Sequence, residues 1–383
     1  MLDRVGGVIK QTFIKGLSVA SIWQSLGVFF GVLAVIISLI HIFRHIWFNE
    51  SVIRKCTVRI LLMVPIYAID SAVCLIFENT EWKWSVPISL IREVYEAIAL
   101  LSFMQFVLTV KGGALQIAEI LQREHPGEVN HMPPVKWILT LPPFTRCFPA
   151  SYAQGPYFIA HMLGGIAQYA VVMIIVFVLN IFVWMLTIAK IVEDKGLLHK
   201  ALVGVPDQFK ACSNGWALYC LVLFAHTASD VFPRARFGCK VLAIKGIVFF
   251  TFWQEKVITV LYHSGMLDKL LRLLNELAKK LQMGEITWEN DNYQRGLNDF
   301  LLCIETFVFC FIHWCAYRPR EWKDSSKFKI EVQLSNPSAV EDREPFIMPT
   351  EAFLGHLVEI KQIFGDIYRL RDKARDEGAL SQK

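Results

Sequence analysis

Two stretches of this chain carry no charge. Residues 16–43 and 162–189 run without a single Lys, Arg, Asp or Glu. About 20 apolar residues in a helix cross the hydrocarbon core of a bilayer, so each run can span it with some tilt. In lipid the backbone must satisfy its own hydrogen bonds, which leaves helices or closed barrels. Barrel strands alternate apolar and polar positions, and these runs do not. The chain reads as an all-α polytopic membrane protein. Composition agrees, with 54% apolar residues, 19% charged and a mean hydropathy of +0.42. A soluble domain carries about 25% charged residues, so a soluble enzyme is excluded.

Seven transmembrane helices are expected. Besides the two charge-free runs they fall at about 57–77, 88–110, 211–231, 239–262 and 297–317. The second span is interrupted by Pro65 and Asp70. This gives a transmembrane domain over 1–317 and a tail over 318–383. No cleavable signal peptide is expected, because the first apolar run is too long and lacks a small-residue cleavage site. Loop Lys and Arg number sixteen on the face holding Arg44, Lys111, Arg234 and the start of the tail from Arg318 to Lys329, and thirteen on the other. That bias predicts an outside N-terminus and a cytosolic C-terminus. Seven of the fifteen Pro lie in residues 111–156, which predicts an extended loop. Residues 267–283 place Leu267, Leu270, Leu271, Leu274, Leu277 and Leu281 on one helical face opposite Lys and Arg, the pattern of a helix lying in the headgroup plane. The tail repeats the pattern over about 350–376 with Phe353, Leu357, Ile360, Phe364 and Ile367, fitting either a membrane-surface or a partner-packing helix.

The net charge of +5 is too small for a nucleic-acid footprint, so no nucleic acid is expected. The nine Cys form no C-x-x-C and lie mostly in apolar runs, which suits packing better than a disulfide framework or zinc. Gly27 and Gly31 form G-x-x-x-G, a surface for close helix packing within the bundle. His41 and His45 share a helix face, but no third ligand completes a metal site, so they read as solvated histidines near a helix end. No P-loop or G-x-S-x-G motif occurs, and no cofactor is expected.

The informative anomalies are charges inside spans: Asp70, Arg92, Glu93, Glu96, Lys245, Glu255, Lys256 and Glu305. Each costs roughly 2.5–3.5 kcal/mol at the bilayer centre on insertion scales, so each needs a partner or a water-filled cavity. Arg92 and Glu96, one turn apart, can pair along their own helix. Glu255 and Lys256 fall near a membrane face. Asp70, Lys245 and Glu305 are flanked by apolar sequence on both sides. Singly each is either a structural tie or functional; together, one on each of three helices, they favour a polar cavity. Lys245 is the cation an anionic ligand group would face. Trp253 can supply an apolar wall and Gln254 a directed hydrogen bond, with hydroxyls from Tyr67 and Tyr95 at comparable depth. Interfacial anchoring or packing is the plainer role for any one aromatic.

Four segments resemble a known family. VRILLMVPIYAIDS (Val58–Ser71) resembles the second-helix motif of the transmembrane protein 184 and organic solute transporter subunit alpha family. REVYEAIAL (Arg92–Leu100), followed by Lys111, Gly112 and Gly113, is similar to its third-helix motif. KVLAIKGIVFFTFWQ (Lys240–Gln254) looks like its sixth-helix signature, and NDFLLCIETF (Asn298–Phe307) like its seventh. The resemblance implies seven helices, an outside N-terminus and facilitated diffusion of amphipathic anions such as bile acids, conjugated steroids and related lipids. It carries Asp70, Arg92, Glu93, Glu96, Lys245, Gln254 and Glu305 over as motif positions. It further implies a single-span beta-type subunit in one branch, while a homodimer is the other assembly considered. A Cys cluster after the third helix, associated with lipidation in the family, is reduced here to Cys147.

The leading expectation is therefore a non-enzymatic carrier for organic anions or sterol-like lipids, in the plasma membrane or an endosomal or vacuolar membrane. A seven-helix receptor or trafficking scaffold without flux is the alternative, although the chain lacks Asp-Arg-Tyr after span three and Asn-Pro-x-x-Tyr in span seven. A membrane-embedded metal hydrolase is a third class, which metal analysis would test.

Overall fold

The structure is a computed structural model. It describes residues 22–48, 53–77, 85–139 except 125 and 134, 149, 151–192, 196–228, 237–266, isolated positions between 269 and 280, 293–319 and 349–376. The described elements are, in chain order, α1 (Ile22–Phe48), α2 (Arg54–Leu61), α3 (Met63–Phe77), α4 (Ser85–Val110) and α5 (Ala114–Glu124). They continue with β1 (Glu128–Asn130), α6 (Val135–Leu139), β2 (Ser151–Ala153), α7 (Pro156–Ile188) and α8 (Leu197–Thr227). The last are α9 (Phe237–His263), α10 (Tyr293–Ala316) and α11 (Pro349–Asp376). Five segments are long and apolar enough to cross a membrane: 24–48, 54–77, 88–110, 156–188 and 295–316. Helices α8 and α9 also have the length, at 31 and 27 residues, and α9 carries Lys240, Lys245, Glu255 and Lys256 along it.

The second expected span is two helices. Pro65 has no N–H to donate to Leu61 four residues back, and the chain turns at Leu62 before α3 resumes with Ile66 N–H donating to the Leu62 carbonyl at 3.2 Å.

The chain divides into two compact units, one comprising residues 1–45, 61–96 and 243–317, the other residues 46–60, 97–242 and 318–383. In the first unit α3 packs on α10, and α1 joins them through its glycines. A Cβ at Gly31 would lie 3.3 Å from Ala72 Cβ and 3.4 Å from the Ala68 carbonyl, and one at Gly27 would meet Leu75 and Phe300. The G-x-x-x-G surface is thus a close-approach face for α3 and α10, as expected. Gly31→Leu should cost about 1–3 kcal/mol by overpacking. A thermal midpoint equal to wild type in detergent would show that the contact gives way.

His41 and His45 are buried, against expectation. Their Nε2 atoms lie 2.8 and 2.9 Å from one acceptor, the carbonyl oxygen of Tyr317 just beyond the end of α10. That carbonyl lies just past the last helical turn of α10, where backbone acceptors turn to side-chain donors, which gives two histidines a reason to leave solvent. Arg44 covers the same corner, its guanidinium 4.9 Å from the Trp314 ring.

In the second unit α7 packs on α8 along a small-residue seam. A Cβ at Gly165 would run into Cys220, and Gln168 Nε2 donates to the Ser213 carbonyl at 3.1 Å while its Oε1 accepts from Ser213 Oγ at 2.8 Å. The stretch 111–156 is not one extended loop. Its prolines begin at Pro126, and the Pro-free residues before it form α5, which buries Ile117, Ala118 and Leu121. Beyond it β1 and β2 pair antiparallel with Val129 opposite Tyr152. His131 anchors this pair to α8: Tyr219 hydroxyl accepts from Met132 N–H and meets His131 Nδ1 at 2.7 Å, while His131 Nε2 meets the Pro149 carbonyl at 3.0 Å. Burial lowers the His131 pKa, which keeps the ring in the neutral form this geometry uses.

The tail helix α11 packs on α7 and α5 within the chain rather than lying alone. Its buried face is Ile363, Ile367, Leu370 and Ala374, rotated from the predicted stripe; Phe364 is 44% exposed. The side chains of Phe353, Leu357 and Ile360 lie outside the described residues, as does most of 267–283.

Candidate functional site

The sequence-predicted charges converge within the first unit. Helices α3 and α4 run antiparallel, so Asp70 meets Arg92 and, one turn along, Tyr67 meets Glu96. Arg92 Nη1 donates to Asp70 Oδ2 at 2.6 Å, with the Asp70 side chain 4% exposed. Tyr67 hydroxyl donates to Glu96 Oε2 at 3.4 Å, and the Arg92 guanidinium sits 5.7 Å from the Tyr67 ring centroid. Lys245 Nζ of α9 lies 3.6 Å from Glu96 Oε1. Five groups on three helices therefore form one chain, Asp70–Arg92 and Tyr67–Glu96–Lys245, almost wholly buried. Arg92 and Glu96 do not pair along α4 as expected: the register of the two helices turns each toward a different partner.

The two ion pairs differ in kind. At 2.6 Å the Arg92–Asp70 contact is a short charge-assisted hydrogen bond. At 3.6 Å the Lys245–Glu96 contact is a longer ion pair, and Glu96 Oε1 has no closer hydrogen-bond partner among the described residues. The first ties α3 to α4, and the second ties α4 to α9.

Glu93 and Asp299 also act electrostatically on Arg92. Asp299 is a residue the sequence reading missed. It is 8% exposed on α10 and belongs with Asp70 and Arg92, but its place near the start of that helix made it look interfacial. The signal was available in the polar pair Asn298–Asp299 opening an otherwise apolar run.

Gln254 Nε2 donates to Asn298 Oδ1 at 3.0 Å and to the Asn298 carbonyl at 3.2 Å, tying α9 to α10. Trp253 is 52% exposed and packs beside Phe249, which suits a lipid-facing ring better than a pocket wall. Tyr95 is half-buried on α4. Glu305 is half-buried on α10, and its Oε2 has no hydrogen-bond partner among the described residues. Cys147 lies outside the described residues. No group of three His, Cys, Asp or Glu among the described residues has metal-binding geometry.

Apolar membrane-length helices and a chain of buried charges running over three helices define an integral membrane protein with ionised groups inside its helical core. The chain belongs to the organic solute transporter Ostalpha family, whose pattern it matches over residues 14–324. It is similar to "Protein LAZ1 homolog 1" of Arabidopsis thaliana, 25% identical over 334 residues covering 82% of this chain and 61% of that protein. It is also similar to "Protein LAZ1 homolog 2" of the same organism, 27% identical over 313 residues, with 80% and 70% covered. A "Transmembrane protein 184 homolog" of Dictyostelium discoideum is 29% identical over 285 residues, covering 74% of this chain and 50% of that protein. The chain thus spans roughly half to seven-tenths of the length of these relatives. No solved structure matches it.

Proposed function

We propose that this chain is a seven-helix carrier moving amphipathic organic anions or sterol-like lipids by facilitated diffusion, with Lys245 as the group the anion meets. One observation carries the reading: Lys245 is a buried cation inside the membrane domain, with its Nζ 3.6 Å from Glu96 Oε1. An incoming sulfonate or carboxylate can replace Glu96 at Lys245 while Glu96 keeps its contact with Tyr67. The buried cation then stays neutralised throughout, which a bilayer interior demands. Arg92 and Asp70 hold the helices that frame the exchange. Family membership supports a transporter; the substrate class is our reading.

The docked tail supports the orientation. Because α11 contacts α5 and α7, the loop around α5 and the tail share one membrane face. An even number of crossings must then separate them, as both four and two would. The charge bias of the loops likewise favours an outside N-terminus and a cytosolic tail. A plasma-membrane or endosomal site, and a single-span or second-copy partner, complete the proposal.

The test is uptake of a labelled sulfonated steroid into proteoliposomes holding this chain alone. Saturable uptake is expected, falling at least tenfold in Lys245→Ala at equal reconstituted protein. Lys245→Arg, which keeps the charge, should retain part of it. Saturable binding without transfer to the lumen would favour a receptor. Equal losses of flux and folded yield in Lys245→Ala would reduce Lys245 to a folding residue.

A further inference from the structure

The second unit carries a half-open cavity lined by residues outside the charge chain. It has a volume of about 380 Å³, within the range of about 300–1,000 Å³ usual for small-molecule sites. Its walls come from three helices. Helix α7 supplies His161 and Gly164, α8 supplies Trp216, and the tail helix α11 supplies Phe364, Ile367 and Arg371. The floor is closed by the Gln168–Ser213 hydrogen bonds between α7 and α8.

Three features say what would fill it. The first is charge. Arg371 stands in the lining, and none of the described lining residues is acidic; His161 beside it turns its Nδ1 to the Tyr157 carbonyl at 3.3 Å. The second is the apolar wall. Phe364 departs from the buried stripe of α11, and its ring faces the cavity instead of solvent alone. The third is depth. Exposed apolar residues of α7 run from Val171 through Ile174, Val178 and Phe182 to Ile188. At 1.5 Å per residue that band is about 26 Å long, close to a hydrocarbon core. Gly164 lies seven residues before it, about 10 Å, at the level of lipid headgroups.

We propose that this cavity binds an anionic amphiphile, its headgroup on Arg371 and its chain against Trp216, Phe364 and Ile367. Its ligand is either an acidic phospholipid of the surrounding leaflet or a free fatty-acid-like anion. Because α11 forms one wall, occupancy would clamp the tail helix onto α7.

Gly164 gives a clean handle. A Cβ there meets nothing within 4 Å, whereas one at Gly165 collides with Cys220 and crowds Trp216. Gly164→Phe should therefore fill the cavity and leave the α7–α8 seam alone. Arg371 is exposed, so Arg371→Glu reverses the charge without touching the core.

The experiment titrates the purified full chain with radiolabelled oleate and, separately, with a short-chain phosphatidylserine, using the matching phosphatidylcholine as the uncharged control. One saturable site per chain is expected for at least one anionic probe, weakened tenfold or more by each variant. The stronger probe tells a free anion from a bilayer lipid. Absence of saturable binding to both probes overturns the proposal, as does binding that neither variant weakens. Loss in Gly164→Phe but not in Arg371→Glu overturns the anionic assignment. If Gly164→Phe fails to fold, Arg371→Glu decides alone.

Discussion

Arg92→Leu should destabilise the folded protein by about 3–5 kcal/mol, the usual result of breaking a buried ion pair from one side. The cause is what remains. Asp70 is 4% exposed, its Oδ1 already lacks a hydrogen-bond partner, and without Arg92 its Oδ2 loses the 2.6 Å donor. Asp299 and Glu93 would lose the same cation. The double variant Asp70→Leu, Arg92→Leu should recover part of the loss, because two matched apolar groups cost less than one stranded charge. Recovery stays partial, since Asp299 is still in place. Chemical denaturation in detergent, followed by intrinsic fluorescence, checks both statements. An Arg92→Leu protein as stable as wild type, or a double variant no better than the single, would remove the pair from the framework of the fold.

That framework was half legible in the sequence. Asp70, Arg92, Glu96 and Lys245 stood out because an ionisable group in an apolar run is expensive and so cannot be incidental. Their partners did not stand out. Spacing along one helix suggests Arg92 with Glu96, but pairing is decided by how α3 and α4 lie against each other, and no local pattern encodes that register. Asp299 escaped because a carboxylate near a helix start is ordinary at a membrane surface. The histidines misled for a related reason: H-x-x-x-H near a span end looks wet unless the Tyr317 carbonyl, hundreds of residues later, is known to sit beside it. Helix α5 was hidden by averaging prolines over a segment whose first part has none.

The tail shows which contacts hold one element to another. Leu370→Asp should release α11 from α7 and α5, whereas Lys373→Ala should leave it docked. Lys373 Nζ reaches Glu119 Oε1 at 2.6 Å, the shortest ion pair between these elements, yet the two side chains are 33% and 59% exposed. An exposed pair contributes about 0–1 kcal/mol, since water screens it and both side chains must be held still. Leu370 is fully buried. Its loss removes about 1.5–3 kcal/mol of apolar burial, and an aspartate there either buries an unpaired charge or peels the helix away. The same change would dismantle the cavity wall made by Ile367 and Arg371, one turn to either side or nearer along α11. Amide exchange over residues 361–376 should therefore accelerate about a hundredfold or more in Leu370→Asp, as local opening becomes cheaper, and hardly at all in Lys373→Ala. Exchange in α7 near Gln168 should stay slow, because its bonds to Ser213 do not depend on the tail. If Lys373→Ala matched Leu370→Asp, the docking would be electrostatic and should then weaken with salt; buried leucine and isoleucine predict that it will not.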